Sequence, residues 1–196
     1  MAYCTSTDVK LYLGIDSTNT GDDTLITALV ARAQAYIETY THRLFSSTAD
    51  STRRFTVDQD NEGRTLYFDE DICSLTTVIT NADASTGTTI TSTQYITLPR
   101  NETPYYGIRI KDSVDADWTY TTDAEMGITV AGKWAYSTTP PADIKHACIR
   151  LSAFYYRLKD SQVFDVQSIP AAGVITVPQG VPKDVDLALM SYVKRL

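Results

Sequence analysis

Two long amphipathic stretches, residues 22–43 and 141–159, stand far apart in this chain, and the Thr- and Tyr-rich stretch between them reads almost wholly as strand. In the first, Leu25, Leu29, Ala33, Tyr36, Tyr40 and Leu44 advance by four or three, with Ile26, Val30 and Ile37 widening the stripe. In the second, Ile144, Ala147, Cys148, Leu151, Phe154, Tyr155 and Leu158 trace a complete 3.6-residue period. An amphipathic helix must bury its stripe against another element, and neither stretch has a comparable helix beside it in sequence. The two are therefore expected to meet across the intervening segment. That expectation divides the chain into a helical module of residues 1–45 and 140–196 and an inserted β domain of residues 46–139.

Two shorter helices complete the module. Ser6 or Thr7 is expected to cap the first, with Val9, Leu11, Tyr12 and Leu13 as its apolar surface and Gly14 as its stop. Pro182 opens the last, whose Val185, Ala188, Leu189, Tyr192 and Val193 form a buried side. Alanines at 28, 31, 33 and 35 leave room for close helix approach on the second helix.

From Ser46 onward, β-branched and aromatic runs recur between turn-forming breaks. Strands are expected at residues 53–57, 65–68, 75–80, 89–98, 106–110, 118–121 and 127–131. The frequent threonines suit the solvent side of such strands, being β-branched yet polar. The fold class is α+β: a four-helix module with a β-sandwich or barrel inserted between the second and third helices.

Composition narrows the function. A net charge of −7 over 196 residues, with no basic run, argues against a surface built to grip phosphate backbone. Three cysteines at wide spacing, without a CxxC pair, support neither a zinc knuckle nor a disulfide framework, and fit a reducing compartment. No apolar run approaches the roughly 20 residues that span a bilayer, and the first residues resemble no signal peptide. The expectation is a soluble protein made in the cytoplasm, without membrane attachment.

Catalytic signatures are absent from the sequence: no nucleophile elbow, P-loop, Rossmann glycine pattern or His-Glu-x-x-His motif occurs. Of the two histidines, His42 sits where a cation complements a helix C-terminus, and His146 is expected to point away from the third helix's stripe. Glu125 and the acidic turn Asp69-Glu70-Asp71 leave a carbohydrate-acting enzyme as a third reading, with nothing to select a carboxylate pair. One motif has metal-ligand spacing. Asp58, Asp60, Glu62 and Asp69 fall at positions 1, 3, 5 and 12 of an EF-hand-like loop, with Gly63 at position 6. Strands rather than helices flank it, so a polar hairpin tip is the simpler reading, and neither a metal nor any other cofactor is assigned. Tyr105 and Tyr106 beside Arg100 and Arg109 could stack on bases, but the acidic balance favours strand packing.

Several segments, taken in order, resemble a known family. The second helix, Asp22 to Phe45, follows a short helix ending Tyr12-Leu13-Gly14-Ile15-Asp16. Later come Ile128 to Tyr136, Pro140 to Leu151 with Tyr155-Tyr156-Arg157, and the ending Val181 to Arg195. This succession resembles the head–tail connector (adaptor, or head-completion) proteins of tailed bacteriophages, in a longer subgroup carrying a β insertion. The resemblance implies a structural virion protein, not an enzyme, located in the neck at the head–tail interface and made in the host bacterial cytoplasm. It implies a ring, typically a dodecamer, that sits under the portal protein and presents a face to the next connector or tail-completion protein. Genomic DNA would pass through its lumen without specific binding during packaging and ejection. Another virion or tail-associated structural role is the alternative. Twelve copies would carry about −84, a field that repels DNA from the wall, so acidic side chains are expected to line the lumen.

Partner contacts are expected in the segment of residues 163–177, too apolar for a free loop, and at the C-terminus. Phe164, Val166, Ile169, Val174 and Ile175 are the candidates in the first, and Tyr192, Arg195 and Leu196 in the second. The segment could be an arm laid on a neighbour by strand addition, or could close the base of the bundle.

Overall fold

The structure, a computed structural model, describes residues 2–161, 167–169, 173–175 and 180–194. The described chain is α+β and divides into two compact units. One is Arg43–Thr139; the other combines Ala2–His42 with the described residues from Pro140 onward.

The second unit holds four helices, α1 (Ser6–Leu13), α2 (Asp23–Thr41), α3 (Ala142–Ser161) and α4 (Lys183–Met190), and a small hairpin, β9 (Gln167–Ile169) with β10 (Gly173–Ile175). The cap of α1 is Thr5, one residue earlier than expected. Its hydroxyl accepts from Asp8 N at 3.1 Å while the Asp8 carboxylate accepts from Thr5 N at 2.8 Å, a reciprocal capping box. Ser6 and Thr7 are thus inside the helix. At its other end Gly14 takes φ 72°, as a left-handed C-cap requires.

α2 packs on α3, and α1 and α4 pack on both. Its buried line is Ile26, Val30, Ala33, Ile37 and Thr41. The sequence reading centred the stripe one residue away, on Leu25, Leu29, Tyr36 and Tyr40, but Leu25 is exposed and the others are only half-buried. Both lines belong to one wide apolar arc. The compact β-branched side chains take its middle, and the tyrosines sit at its edge, where Tyr36 Oη reaches Asp186 at 3.3 Å. Ala28, Ala31 and Ala35 face away from the core. On α3, Ile144, Ala147, Cys148 and Leu151 are buried as their period predicts. On α1, Val9 is buried whereas Leu11 is 81% exposed.

Polar contacts tie the helices at their edges. Lys145 pairs with Asp8 at 3.0 Å, Arg150 with Asp184 at 2.8 Å, and Lys159 with Asp22 at 2.9 Å. Inside, the ammonium of Lys10, 4% exposed, pairs with Asp23.

The other unit is two four-stranded antiparallel sheets. One has the order β1 (Ser51–Phe55), β8 (Ile128–Lys133), β4 (Ser74–Thr80), β5 (Thr88–Thr89); the other β2 (Asn61–Glu62), β3 (Thr65–Ile72), β7 (Tyr105–Ile110), β6 (Tyr95–Leu98). Alternate residues of both sheets meet in one core of Phe55, Leu66, Phe68, Ile72, Val78, Ile108, Ile110, Ile128, Val130 and Trp134. The chain crosses from β3 to β4 through Cys73, whose N–H donates to Lys133 O at 2.9 Å. Next to this corner Gly132 lies so close to β4 that an added Cβ would fall 2.2 Å from Ser74 O.

Three strand expectations are corrected. Residues 89–98 are two strands of different sheets, interrupted where Gln94 N donates to Thr91 O at 2.9 Å. Residues 118–121 form no strand: Thr119 N donates to Thr80 Oγ1 and Thr119 O accepts from Asn81 N, single contacts that never extend into a ladder. The break at Asn61-Glu62-Gly63 is itself a two-residue strand and its turn, with Gly63 at φ 55°.

Candidate functional site

The acidic run expected to be a turn is the end of β3, and arginines occupy it. Arg53 on β1 donates to Asp69 at 2.7 Å and to Glu70 at 2.6 Å, and its guanidinium lies 4.5 Å over the Trp134 ring. These contacts join one sheet to the other. Asp71, buried, accepts from Arg43 at 2.6 Å, and Arg43 also stands over Tyr136. Asp69, Glu70 and Asp71 are thus taken up in ion pairs, whereas Glu125 is exposed on the 3₁₀ turn Ala124–Met126.

The EF-hand-like spacing does not become a cluster. Asp58 is at φ 68° and its N–H donates to Asn61 Oδ1 at 2.8 Å. The Asp60 carboxylate turns back to accept from Thr56 N at 2.6 Å. Glu62 points outward from β2, and Asp69 faces Arg53. Among the described residues, no group of three or more His, Cys, Asp or Glu side chains comes together in a way that could hold a metal ion. The hairpin geometry explains why: alternate strand residues face opposite sides, whereas an EF-hand loop wraps its ligands around one point.

A carboxylate the sequence reading passed over is better organised. Asp83 accepts from the backbone N–H groups of Thr122 at 2.6 Å, Asp123 at 2.9 Å and Thr121 at 3.0 Å. Those donors, Thr122 first, hold its carboxyl well below the usual carboxylate range. The arrangement fixes the loop that leads into the single 3₁₀ turn Ala124–Met126. Its role is anchoring, because these three main-chain donors, and the Thr122 hydroxyl at 3.2 Å, all belong to that loop.

His42 is the C-cap of α2, exposed, at φ 53°. His146 is exposed too, its ring edge-on to Tyr12 at 6.2 Å. Neither is within a set of groups arranged for proton transfer. Tyr105 and Arg100 line an open cleft of about 420 Å³ with Tyr95 and Cys73. Tyr106 is half-exposed, and Arg109 is taken up by Asp112 at 3.1 Å.

The expected partner contacts fall in the helical unit. Ile169, Val174 and Ile175 are in the β9–β10 hairpin, with Gly173 opposite Ile169 and Val174 opposite Ser168. Phe164, Val166, Arg195 and Leu196 lie outside the described residues. Tyr192 follows α4, its N–H donating to Leu189 O at 2.9 Å, and Lys194 N donates to Thr41 O at 2.9 Å. Up to Lys194 the tail is thus hydrogen-bonded back to the end of α2. No helix among the described residues is long and apolar enough to cross a membrane.

Residues 5–102 match the family of phage gp6-like head–tail connector proteins. No curated protein matches the chain. Among solved structures, a chain from the neck of an empty gene transfer agent particle, computed with C6 symmetry, superposes with a TM-score of 0.60 at 13% identity, covering 97% of this chain and 90% of that one. A chain of the native gene transfer agent virion gives 0.58 at 15% identity, with 97% and 90% covered. A chain from the native particle's neck, computed with C12 symmetry, gives 0.50 at 15%, with 90% and 94% covered. The likeness runs through the helices and the sheets alike, and at these identities it is a likeness of fold.

Proposed function

This chain belongs to the phage gp6-like head–tail connector family, and on that premise we propose that it is a neck subunit that assembles into a ring beneath the portal protein. The ring extends the DNA channel and offers its other face to the next connector or tail-completion protein. The observation that carries this reading is the whole-length fold likeness to chains from gene transfer agent necks, joined to the family match. Those necks were computed with C6 and C12 symmetry, and a ring of twelve is compatible with both. In this reading the helical unit is the connector body, the sheets are an insertion that widens its docking surface, and the virion neck is where it works.

A wall that carries negative charge suits a conduit through which DNA slides, since it repels the phosphates that a basic wall would hold. The chain's −7 supplies that charge. The segment of residues 163–177, with its hairpin, acts as an arm against a neighbouring subunit or the portal, and Tyr192 with the following residues contributes a second contact.

Cryo-electron microscopy of the purified protein, alone and mixed with portal, tests the reading. Rings of twelvefold or related symmetry with an acidic bore are expected; a protein that stays monomeric with portal present, or a ring with a positive bore, overturns it. Deleting residues 163–177 should abolish ring formation or portal binding while the remaining chain keeps its helical circular dichroism. An unfolded deletion product would instead assign the segment to closing the bundle base.

A further inference from the structure

Two of the three cysteines, far apart in sequence, meet in the helical unit. Cys4 and Cys148 are 144 positions apart, and their sulfurs are 3.3 Å from each other, both buried and both free thiols. Nothing in their sequence spacing announced the pair. We infer that Cys4 and Cys148 are a reversible redox site, which an external disulfide oxidant converts to an intramolecular disulfide clamping the segment ahead of α1 onto α3.

Geometry and surroundings both favour the step. The two sulfurs need to close by little more than an ångström, and no third cysteine competes, since Cys73 belongs to the other unit. Cys4 is the attacking group, since it stands on the short segment before α1 whereas Cys148 is enclosed within α3. Its thiolate is favoured chiefly by a hydrogen bond from the Cys148 thiol, with Ser152 and Lys145 also nearby, while burial opposes it. Cys148, fully buried on α3, is pushed the other way. Access comes through the short segment before α1, which Tyr3 holds by its N–H to Gln34 Oε1 at 3.3 Å and its hydroxyl to Glu38 at 2.8 Å. Local opening of that segment, with release of those two contacts, admits the oxidant.

With glutathione disulfide as oxidant the step balances. The Cys4 thiolate attacks one glutathione sulfur, breaking the S–S bond and releasing one glutathione thiolate. Cys148 loses its proton to solvent, and its thiolate attacks the Cys4 sulfur of the mixed disulfide, releasing the second glutathione. Two protein thiols are oxidised and one glutathione disulfide is reduced to two glutathiones. The clamp closes a covalent loop that contains the whole sheet unit, the kind of long closure that constrains the unfolded chain most. It does not depend on the ring, so it can hold or fail independently of the neck reading.

The purified full chain is equilibrated with glutathione disulfide or with reduced glutathione, its remaining thiols alkylated under denaturing conditions, and its peptides mapped by mass spectrometry. The expected result is a Cys4–Cys148 linked peptide only in the oxidised sample, with Cys73 free or carrying glutathione. Its melting temperature should rise by roughly 5–10 °C over the reduced protein. Cys4→Ala and Cys148→Ala should each remove that rise, and Cys73→Ala should leave it. Absence of the linked peptide at equilibrium, or its formation only when the chain is oxidised in urea, overturns the inference. The wild-type peptide map decides this even if the Cys148 variant fails to fold.

Discussion

Lys10 is the residue where sequence and surroundings are most at odds: a long cationic side chain that ends 4% exposed inside a helical bundle. Asp23, its side chain 38% exposed, is its charged partner, and Ser17 O is 3.5 Å away. Removing Asp23 leaves a buried ammonium without its counter-charge, whereas removing both charges leaves an ordinary apolar contact. Asp23→Ala should therefore cost about 2 kcal/mol, below the range for fully buried pairs because water reaches Asp23. Adding Lys10→Met should recover most of that loss, as urea unfolding of the single and double variants would reveal. Asp83 makes the corresponding case for a surface carboxylate. The N–H groups of Thr122, Asp123 and Thr121 depress its pKa in the folded state, so its contribution is complete above about pH 5 and drains away as pH falls through 4 and below. Thermal melts from pH 7 to pH 3 should show the wild type losing its advantage over Asp83→Asn along that descent. A constant gap across the range would mean that charge has no part in the anchor.

Among the elements, the corner between β3 and β4 is the joint of the sheet unit. The chain passes from one sheet to the other through a single residue, and the register of β4 on β8 shifts between Leu75 and Thr77. The backbone of β8 can come that close only because Gly132 has no side chain; Ile72 Cδ1 lies 2.8 Å and Ser74 O 2.2 Å from where a Cβ would be. The obstacle is main chain and a core isoleucine, neither free to move aside. Gly132→Ala is expected to destabilise the sheet unit by about 2–3 kcal/mol, within the range seen for overpacked cores. The same change at Gly14 would act through its left-handed φ of 72° alone, since its Cβ would meet no atom. Denaturant midpoints for the two variants separate a steric cause from a conformational one.

Taken as a whole molecule, the chain leaves the helical unit at His42 and comes back at Pro140. The segments next to those points are hydrogen-bonded to each other: Tyr136 N donates to Leu44 O at 2.7 Å, Ser47 N to Ser137 O at 3.3 Å, and Ser137 Oγ to Phe45 O at 3.0 Å. Strand ends that close can be bridged by a short flexible linker with little loss of loop entropy. Replacing residues 46–136 by a few glycines and serines should thus yield a protein that keeps its helices and melts cooperatively by circular dichroism. Failure of that shortened chain to fold would show that the sheets are integral to the helical unit and refute their description as an insertion.

The long helices were legible because a 3.6-residue apolar period survives any rearrangement of the rest, and Ile144, Ala147, Cys148 and Leu151 are buried where that period put them. Most strands were legible for the same reason at period two. Periodicity, though, names an arc and not its centre, which is why Ile26 and Ile37 rather than Leu25 and Tyr36 form the middle of α2's contact. Local composition likewise could not tell that residues 89–98 serve two sheets, because a strand's partner is chosen by distant chain. The sequence by itself determined the alternation of helical and extended segments, the acidic balance and the lack of a catalytic motif. Only the tertiary structure decided which charges face which, turning an EF-hand-like spacing into a plain hairpin, Asp83 into an anchor, and two remote cysteines into neighbours. Such contacts depend on three-dimensional closure, and nothing in the spacing of residues along a chain encodes the distance between their side chains once it has folded.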